Sequence, residues 1–131
     1  MIRSEGFHHL ALQVVDVERV VAFYREVLDL PELHRFQRDD GSLRSVWLGV
    51  TGGQTETQGG FLAIEAQDGG PRGALGLSMV AFRIAAGQRE DVVAHLAQRG
   101  VPIENQTGWT VYFRDPEGNL VGLSHHPDKQ V

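Results

Sequence analysis

The chain has 131 residues, of which 41% are hydrophobic and 22% are charged, and its formal net charge is -5 at pH 7. A chain of this length fits one compact unit, and it contains no apolar run near the roughly 20 residues that a membrane span needs. Twelve Lys and Arg against seventeen Asp and Glu form no basic stripe of the kind that neutralises phosphates. Composition therefore argues against nucleic acid and membranes as partners.

The compartment is suggested by two absences in the sequence. There is no cysteine, which removes disulfides and thiolate metal sites together and agrees with a reducing environment. No apolar stretch with a small-residue cleavage site follows the first residues, so no secretory signal is expected. These observations predict a cytoplasmic protein.

The first half of the chain predicts a strand, a helix and three further strands. The first strand alternates, with His9 on one face and more apolar residues on the other, which we expect to pack under the helix. Asp16 is a good helix N-cap, and apolar residues recur at helical spacing until Pro31 stops the helix. The predicted strands cover residues 7–15, 32–38, 43–50 and 61–66.

The second half predicts the same order of elements. A helix over 88–99 is closed by Gly100 in the left-handed C-cap position. Residues 115–119 carry proline and glycine where a hairpin turn needs them, and the tail from His125 is expected to fray. The predicted strands cover residues 77–84, 102–106, 109–114 and 120–124.

The two halves look like copies of one module. The segment HLALQV from His9 leads into an apolar helix, and so does the segment MVAFRI from Met79, 70 residues later. Self-similarity at a fixed offset indicates a repeated supersecondary unit that needs its twin to bury a face. We therefore expect a cleft lined by equivalent strand positions of the two copies, of which His9 and Met79 are one pair.

Three segments, in this order and at this spacing, carry a resemblance to a known family. They are HLAL from His9 with Asp16 after it, FYREVLDL from Phe23, and YFRDPEGNL from Tyr112. With them the chain resembles the vicinal oxygen chelate superfamily, which includes glyoxalase I, fosfomycin and bleomycin resistance proteins, methylmalonyl-CoA epimerase and extradiol dioxygenases.

The resemblance implies an α+β fold in which two βαβββ modules form a curved mixed sheet with a concave cleft. A single domain over 1–131 would then contain module one, a flexible linker, module two and a tail. It also implies a small-molecule ligand in the cleft and a homodimer, with the cleft formed within one chain or by module exchange between two. The expected boundaries are 6–66 for module one, 67–76 for the linker, 77–124 for module two and 125–131 for the tail.

The resemblance also implies a divalent metal held by one ligand from the first and one from the fourth strand of each module. Module one matches this pattern with His9 and Glu65. In module two the expected positions hold Met79, whose thioether is too soft for the ions such enzymes favour, and Gly122, which has no side chain. We therefore expect an incomplete metal site and no cofactor, and a metal only if His9 and Glu65 bind one.

Glu65 is the more informative of these two residues, because a carboxylate in a central strand needs a partner if it is buried. The partner could be a metal, a ligand group or His9. If it is His9, the carboxylate would raise the histidine pKa and the two would form an acid-base pair, or simply a structural hydrogen bond.

Six further residues are candidates for ligand binding. Aromatic rings and a methionine near a cleft would suit a flat aromatic ligand, although filling the core is their usual role. An arginine on the strand face of Met79 would suit an anionic group, although a solvated arginine is the commoner outcome. The candidates are Trp47, Phe61, Met79, Arg83, Trp109 and Tyr112.

Three functions follow from these residues. The leading hypothesis is a glyoxalase-like protein that binds a small organic molecule with an incomplete metal site. The alternatives are a metal-dependent lyase, isomerase or dioxygenase that uses His9 and Glu65, and a metal-free acid-base enzyme that uses the same pair. Whether the protein is an enzyme is left open by the sequence.

Overall fold

The computed structural model describes Arg3, residues 7–67 and residues 79–128. The chain divides into two compact units, Met1–Gly69 and Gly70–Val131, which are called module one and module two below. Except for Gln67, the predicted linker lies outside the described residues, as do residues 77 and 78 of the predicted fifth strand. Within the described ranges, no helix combines the length and the hydropathy that a membrane span requires.

The two modules have the same order of elements and the same strand order. The sheets run β1-β4-β3-β2 and β5-β8-β7-β6, with a parallel first pair and antiparallel pairs after it. This confirms the predicted α+β fold of two βαβββ modules, each a four-stranded mixed sheet. The elements are β1 (His9–Val14), α1 (Val17–Leu28), β2 (Glu32–Gln37), β3 (Leu43–Gly49), β4 (Phe61–Ala66), β5 (Val80–Arg83), α2 (Arg89–Gln98), β6 (Asn105–Gln106), β7 (Thr110–Arg114) and β8 (Leu120–Ser124).

Helix α1 begins where the sequence predicts and ends earlier. The side chain of Asp16 accepts a hydrogen bond from the backbone N–H of Arg19 at 3.1 Å, as an N-cap does. The helix ends at Leu28 because Asp29 adopts a left-handed conformation with φ 55°, and its N–H donates to the carbonyl of Tyr24. Pro31 therefore follows a helix that has already ended.

The core of module one lies between α1 and one face of its sheet. Strand alternation points apolar side chains of β1, β3 and β4 toward that helix. The opposite face carries His9, Ala11 and Gln13, which are all exposed. The buried set on the helix side is Leu12, Val14, Val46, Leu48, Leu62 and Ile64.

Module two buries its own apolar set, and the chain stays packed beyond β8. The predicted fraying from His125 is wrong for that residue, which is only 2% exposed. Its backbone N–H donates to the carbonyl of Trp109 at 2.9 Å. The buried apolar side chains of module two are Val80, Leu96, Val111, Phe113, Val121 and Leu123.

Candidate functional site

His9 lies at the start of β1, opposite Phe61 of the parallel strand β4. Its ring stacks on Phe61 with centroids 4.7 Å apart and planes 4° from parallel. Its Nδ1 is 2.9 Å from Nδ1 of His8. One of these nitrogens therefore carries a hydrogen and donates the hydrogen bond, and the other accepts that bond. Packing therefore fixes the ring, and Nε2 makes no hydrogen bond to the described residues.

Glu65 lies on the same face of the sheet as His9, but at the other end of the strand pair. It is opposite Gln13 of β1, four residues beyond the pair His9 and Phe61. At about 3.3 Å per residue, some 13 Å separates the two backbone positions. His9 and Glu65 make no hydrogen bond to each other, so their joint catalytic or metal-binding role stays a prediction that the geometry does not favour.

An aromatic row crosses all four strands on this face of module one. It consists of His9, Phe61, Trp47 and Phe36. Trp47 stacks on Phe61 with centroids 4.3 Å apart and contacts Phe36 at 4.9 Å. The residue paired with Trp47 on β4 is Ala63, whose small side chain leaves room for the indole. His34 adds an edge-to-face contact to Trp47 at 5.7 Å, an arrangement that aromatic rings favour.

Gln54 fixes the loop that leads into β4 and the aromatic row. Its Oε1 accepts hydrogen bonds from the backbone N–H groups of Val50 and Thr51, at 2.9 and 3.2 Å. Its Nε2 donates to the carbonyls of residues 56, 58 and 60. The side chain lies against Gly49, where an added Cβ would be 2.9 Å from Oε1. A residue with a side chain at position 49 would therefore collide with Gln54.

Ser45 is a site residue that the sequence does not reveal, because serine in a strand is ambiguous. It is paired with Glu65 on one side and Phe36 on the other. Ser45 is only 4% exposed, and its hydroxyl has no hydrogen-bond partner among the described residues. Glu65 is half-buried, and it too has no hydrogen bond or ion pair with any described residue. Two neighbouring polar groups thus lack partners within residues 7–67 and 79–128.

In module two, Met79 and Tyr112 come together around Gly122. A Cβ added to Gly122 would be 3.0 Å from Cε of Met79 and 3.4 Å from Cε1 of Tyr112. Cγ2 of Thr110 would be 3.3 Å away. Apolar atoms thus fill the space that a metal-coordinating side chain at residue 122 would need.

The other two predicted ligand-binding residues lie apart from this group. Arg83 is exposed at the end of β5, opposite Ser124, and has no partner among the described residues. Trp109 precedes β7 and is 38% exposed, and its ring meets the ring of His126 edge-on at 5.5 Å. The six candidates therefore fall into separate groups, with Trp47 and Phe61 in module one and Met79 with Tyr112 in module two.

Arg89 is buried in module two without a carboxylate partner among the described residues, which the sequence did not predict. Its Nη2 donates to Oε1 of Gln106 at 3.1 Å and to the carbonyl of Thr107 at 2.6 Å. Its Nη1 is 3.1 Å from Nε2 of His125. Because arginine only donates, that nitrogen accepts, and Nδ1 of His125 donates to the carbonyl of Asp128 at 2.5 Å. This cluster ties α2 to β6 and to the residues after β8.

Strand register defines which positions of the two modules are equivalent. In module one Ala11, Ala63 and Trp47 are paired across three strands, and in module two Ala81, Gly122 and Tyr112 are. If His9 is equivalent to Met79, then Gly122 is equivalent to Ala63. By the same register, Glu65 is equivalent to Ser124 and Ser45 to Thr110.

The described residues do not fit the metal that the fold family implies. In module one His9 and Glu65 are too far apart along the sheet to hold one ion together. In module two Met79 and Gly122 supply no hard ligand. The register also shows that Glu65 does not occupy the position in module one that corresponds to Gly122, since that residue is Ala63. Among the residues that the structure describes, no group of three His, Asp or Glu side chains converges as a metal site would require.

Charged pairs elsewhere in the two modules show how a carboxylate with an arginine partner is arranged in this protein. Arg35 donates to Glu32 at 2.7 Å and also hydrogen-bonds Glu18. The hydrogen bond between Arg35 and Glu32 is the main reason that the pKa of Glu32 is lowered. Hydrogen bonds to Glu32 and Glu18 raise the pKa of Arg35. In module two the hydrogen bond from Arg114 lowers the pKa of Glu104. Glu65 has no such partner.

Comparison with known proteins identifies what the chain is similar to. A protein-family model described as the Glyoxalase/Bleomycin resistance protein/Dioxygenase superfamily matches residues 6–123. No curated protein matches the chain.

Among solved structures, the fosfomycin resistance protein FosX from Listeria monocytogenes is similar, with a TM-score of 0.68, 20% identity, and 92% of this chain and 91% of that chain covered. A variant of that protein was solved with Mn(II) and 1S,2S-dihydroxypropylphosphonic acid, and it matches with a TM-score of 0.67, 20% identity and 93% of each chain covered. A lactoylglutathione lyase from Agrobacterium tumefaciens matches with a TM-score of 0.68, 22% identity, and 94% of this chain and 95% of that chain covered. At such identities the likeness shows the fold alone.

Proposed function

Since the chain belongs to the Glyoxalase/Bleomycin resistance protein/Dioxygenase superfamily, we propose that it binds a small organic molecule against the aromatic row of module one. The observation that carries the proposal is the row itself, in which Trp47 stacks on Phe61 and contacts Phe36. Stacked rings at a sheet face offer a flat apolar surface, which is the common lining of small-molecule sites. His9 at one end is exposed and extends that surface.

The proposal assigns binding rather than metal chemistry to this face. A shared ion would need His9 and Glu65 to converge, and their positions in the strand register keep them apart. Acid-base catalysis by the two residues as a direct pair would need hydrogen-bond distance, which the same register does not provide. The proposal therefore gives His9 a packing role in the ligand surface.

Two single-tryptophan variants test this function, because the chain has only two tryptophans. In Trp109→Phe the fluorescence reports Trp47 alone, and in Trp47→Phe it reports Trp109 alone. We expect flat aromatic compounds from a screen to quench or shift the emission of Trp47 saturably and to leave that of Trp109 unchanged. A screen in which no compound affects Trp47, or in which Trp109 alone responds, would contradict the proposal.

Metal stoichiometry is the companion measurement. After incubation with manganese, iron(II), nickel or zinc and removal of the excess, we expect well below one equivalent to be retained. Retention of one equivalent that is lost in both His9→Ala and Glu65→Ala would support the metal-dependent enzyme instead. It would also show that the two side chains act together despite their separation along the strands.

A further inference from the structure

We propose that the molecule bound at the aromatic row is a planar organic cation carrying N–H groups, and that Glu65 and Ser45 recognise its cationic group. This inference rests on the proposed function, because it names the chemical class of the ligand at the same face. Its basis is the juxtaposition, on paired strands beside Trp47, of two polar groups that have no partner among the residues the structure describes.

The carboxylate of Glu65 supplies the charge for this recognition. It is half-buried, and removing a carboxylate from water is costly unless an opposite charge or hydrogen-bond donors compensate. Glu18 and Glu32 of the same module have Arg35 as such a partner. Glu65 has none among the described residues, so a cationic donor from a ligand would satisfy it with a charge-assisted hydrogen bond.

The hydroxyl of Ser45 supplies a second contact in the same place. It is buried and lacks a partner, which is uncommon for a buried polar group and needs an explanation. Ser45 and Glu65 are paired across β3 and β4, and Cβ atoms of such pairs lie about 5 Å apart. A planar group with two N–H donors, such as an amidinium, can donate to both oxygens at once.

Trp47 connects the polar pair to the aromatic row. It lies two residues after Ser45 on the same face of β3, and its partner on β4, Ala63, is two residues before Glu65. At about 3.3 Å per residue, a ring that contacts the indole lies about 7 Å along the strand from the polar pair, and the face of a tryptophan also attracts cations. Phe36 already has the guanidinium of Arg44 5.7 Å from its ring centroid. Trp47 contacts Phe61, Phe36 and His34 and is still partly exposed, so a ligand would lie on the part of the indole that these rings leave uncovered.

A matched pair of probes tests the cation preference. Benzamidine is planar, has N–H groups and is cationic at neutral pH, whereas benzamide is its neutral counterpart. In the Trp109→Phe background we expect benzamidine to bind about tenfold more tightly than benzamide, as hydrogen bonds to a charged group imply. Glu65→Gln should remove that preference, and Ser45→Ala should weaken benzamidine binding about threefold or more. Glu56→Gln, which changes an exposed carboxylate of the same module, should change nothing.

The outcomes separate this inference from the proposed function. Equal binding of the two probes, a preference that survives Glu65→Gln, or no response of Trp47 to benzamidine would overturn the cation assignment. The screen of flat compounds would then still decide whether the face binds ligands at all. If Glu65→Gln does not fold, as judged by circular dichroism, Glu65→Asp replaces it. That variant keeps the charge but shortens the reach, and it should retain part of the preference.

Discussion

In module two, the hydroxyl of Thr110 donates to the hydroxyl of Ser124 at 2.9 Å across two paired strands. The side chains of the equivalent residues of module one, Ser45 and Glu65, have no hydrogen-bond partner in the described part of the chain. The two modules also differ in how the neighbouring positions on these strands are packed. Met79 folds over Gly122 in module two, while His9 and Ala63 occupy the equivalent positions in module one and leave a row of stacked rings beside them.

A polar group that already has a hydrogen-bond partner in the protein gains less from a ligand than one without a partner, and a face filled by apolar atoms has little room for one. This contrast indicates that the two modules differ in their capacity to bind a ligand, although they share one fold. Among the described residues of module two, no buried side-chain polar atom lacks a hydrogen bond, and the buried Arg89 has partners for both Nη atoms. Module one keeps unsatisfied groups at a partly accessible face, which is a cost that ligand binding would offset.

Arg89→Met should give the largest effect, because it removes the side chain that completes the polar cluster of module two. Gln106, the carbonyl of Thr107 and His125 would lose their partner, so we expect a loss of about 3 kcal/mol in the free energy of unfolding. Urea unfolding followed by circular dichroism measures it. Arg19→Met, on the exposed side of α1, is the matched control and should change stability by less than about 0.5 kcal/mol. Similar losses in both variants would show that the cluster adds little.

The next largest effect is expected from glycine-to-alanine substitutions on the corresponding sheet faces of the two modules, which should lower stability by different amounts. In Gly49→Ala the new Cβ meets Gln54 at 2.9 to 3.0 Å, and that side chain is held by five hydrogen bonds. We expect a loss of about 2 kcal/mol. In Gly122→Ala the closest atom is the flexible end of Met79 at 3.0 Å, so the loss should stay below about 1 kcal/mol. Thermal unfolding of the two variants compares them, and a larger loss at Gly122 would mean that Met79 is fixed rather than adaptable.

Deleting the equivalent hydroxyls should change stability in opposite directions. Thr110→Val breaks the hydrogen bond to Ser124 and should cost about 1 kcal/mol. Ser45→Ala removes a buried hydroxyl that has no partner, so it should be neutral or stabilise the protein by up to about 1 kcal/mol. Denaturant unfolding of both variants in the absence of ligand is the measurement. A clear loss in Ser45→Ala would show that this hydroxyl is satisfied within the protein and would remove half of the contrast.

The fold could be predicted from the sequence because its signals are local and repeated. Alternation in β1, the cap at Asp16 and the turn before β8 each fix one element, and the duplication orders the rest. The end of α1 was misplaced because Asp29 adopted the left-handed conformation that glycine more often supplies. The fraying expected from His125 was wrong because its partner, Arg89, is far away in sequence.

The candidate site was predicted less completely, because it depends on strand register and on which polar groups lack partners. Glu65 and His9 were singled out by type and family position, and nothing in the sequence shows that four residues of register separate them. Ser45 could not be found, since only burial without a partner distinguishes it from any other strand serine. Trp47 and Phe61 were named as candidates, but their stacking depends on the strand pairing, which places the small Ala63 opposite Trp47.

The smallest expected effect is the change in unfolding free energy when two glutamates of module one, Glu32 and Glu65, are replaced by glutamine. Arg35 lowers the pKa of Glu32 in the folded state, so the stability that this pair contributes is present above the usual glutamate pKa and is lost as pH falls through the lowered value. Glu32→Gln should therefore cost less than about 1 kcal/mol at pH 7, and its difference from the wild type should vanish in strong acid.

Glu65→Gln sharpens the contrast, because Glu65 has no partner among the described residues and should show no such loss at pH 7. Unfolding free energies of both variants, measured from neutral to acidic pH without ligand, make the test. A clear loss of stability in Glu65→Gln at pH 7 would mean that Glu65 is already paired within the protein. Its carboxylate would then not be available to a cationic ligand, and only the unpaired hydroxyl of Ser45 and the packing around Gly122 would still distinguish the two modules.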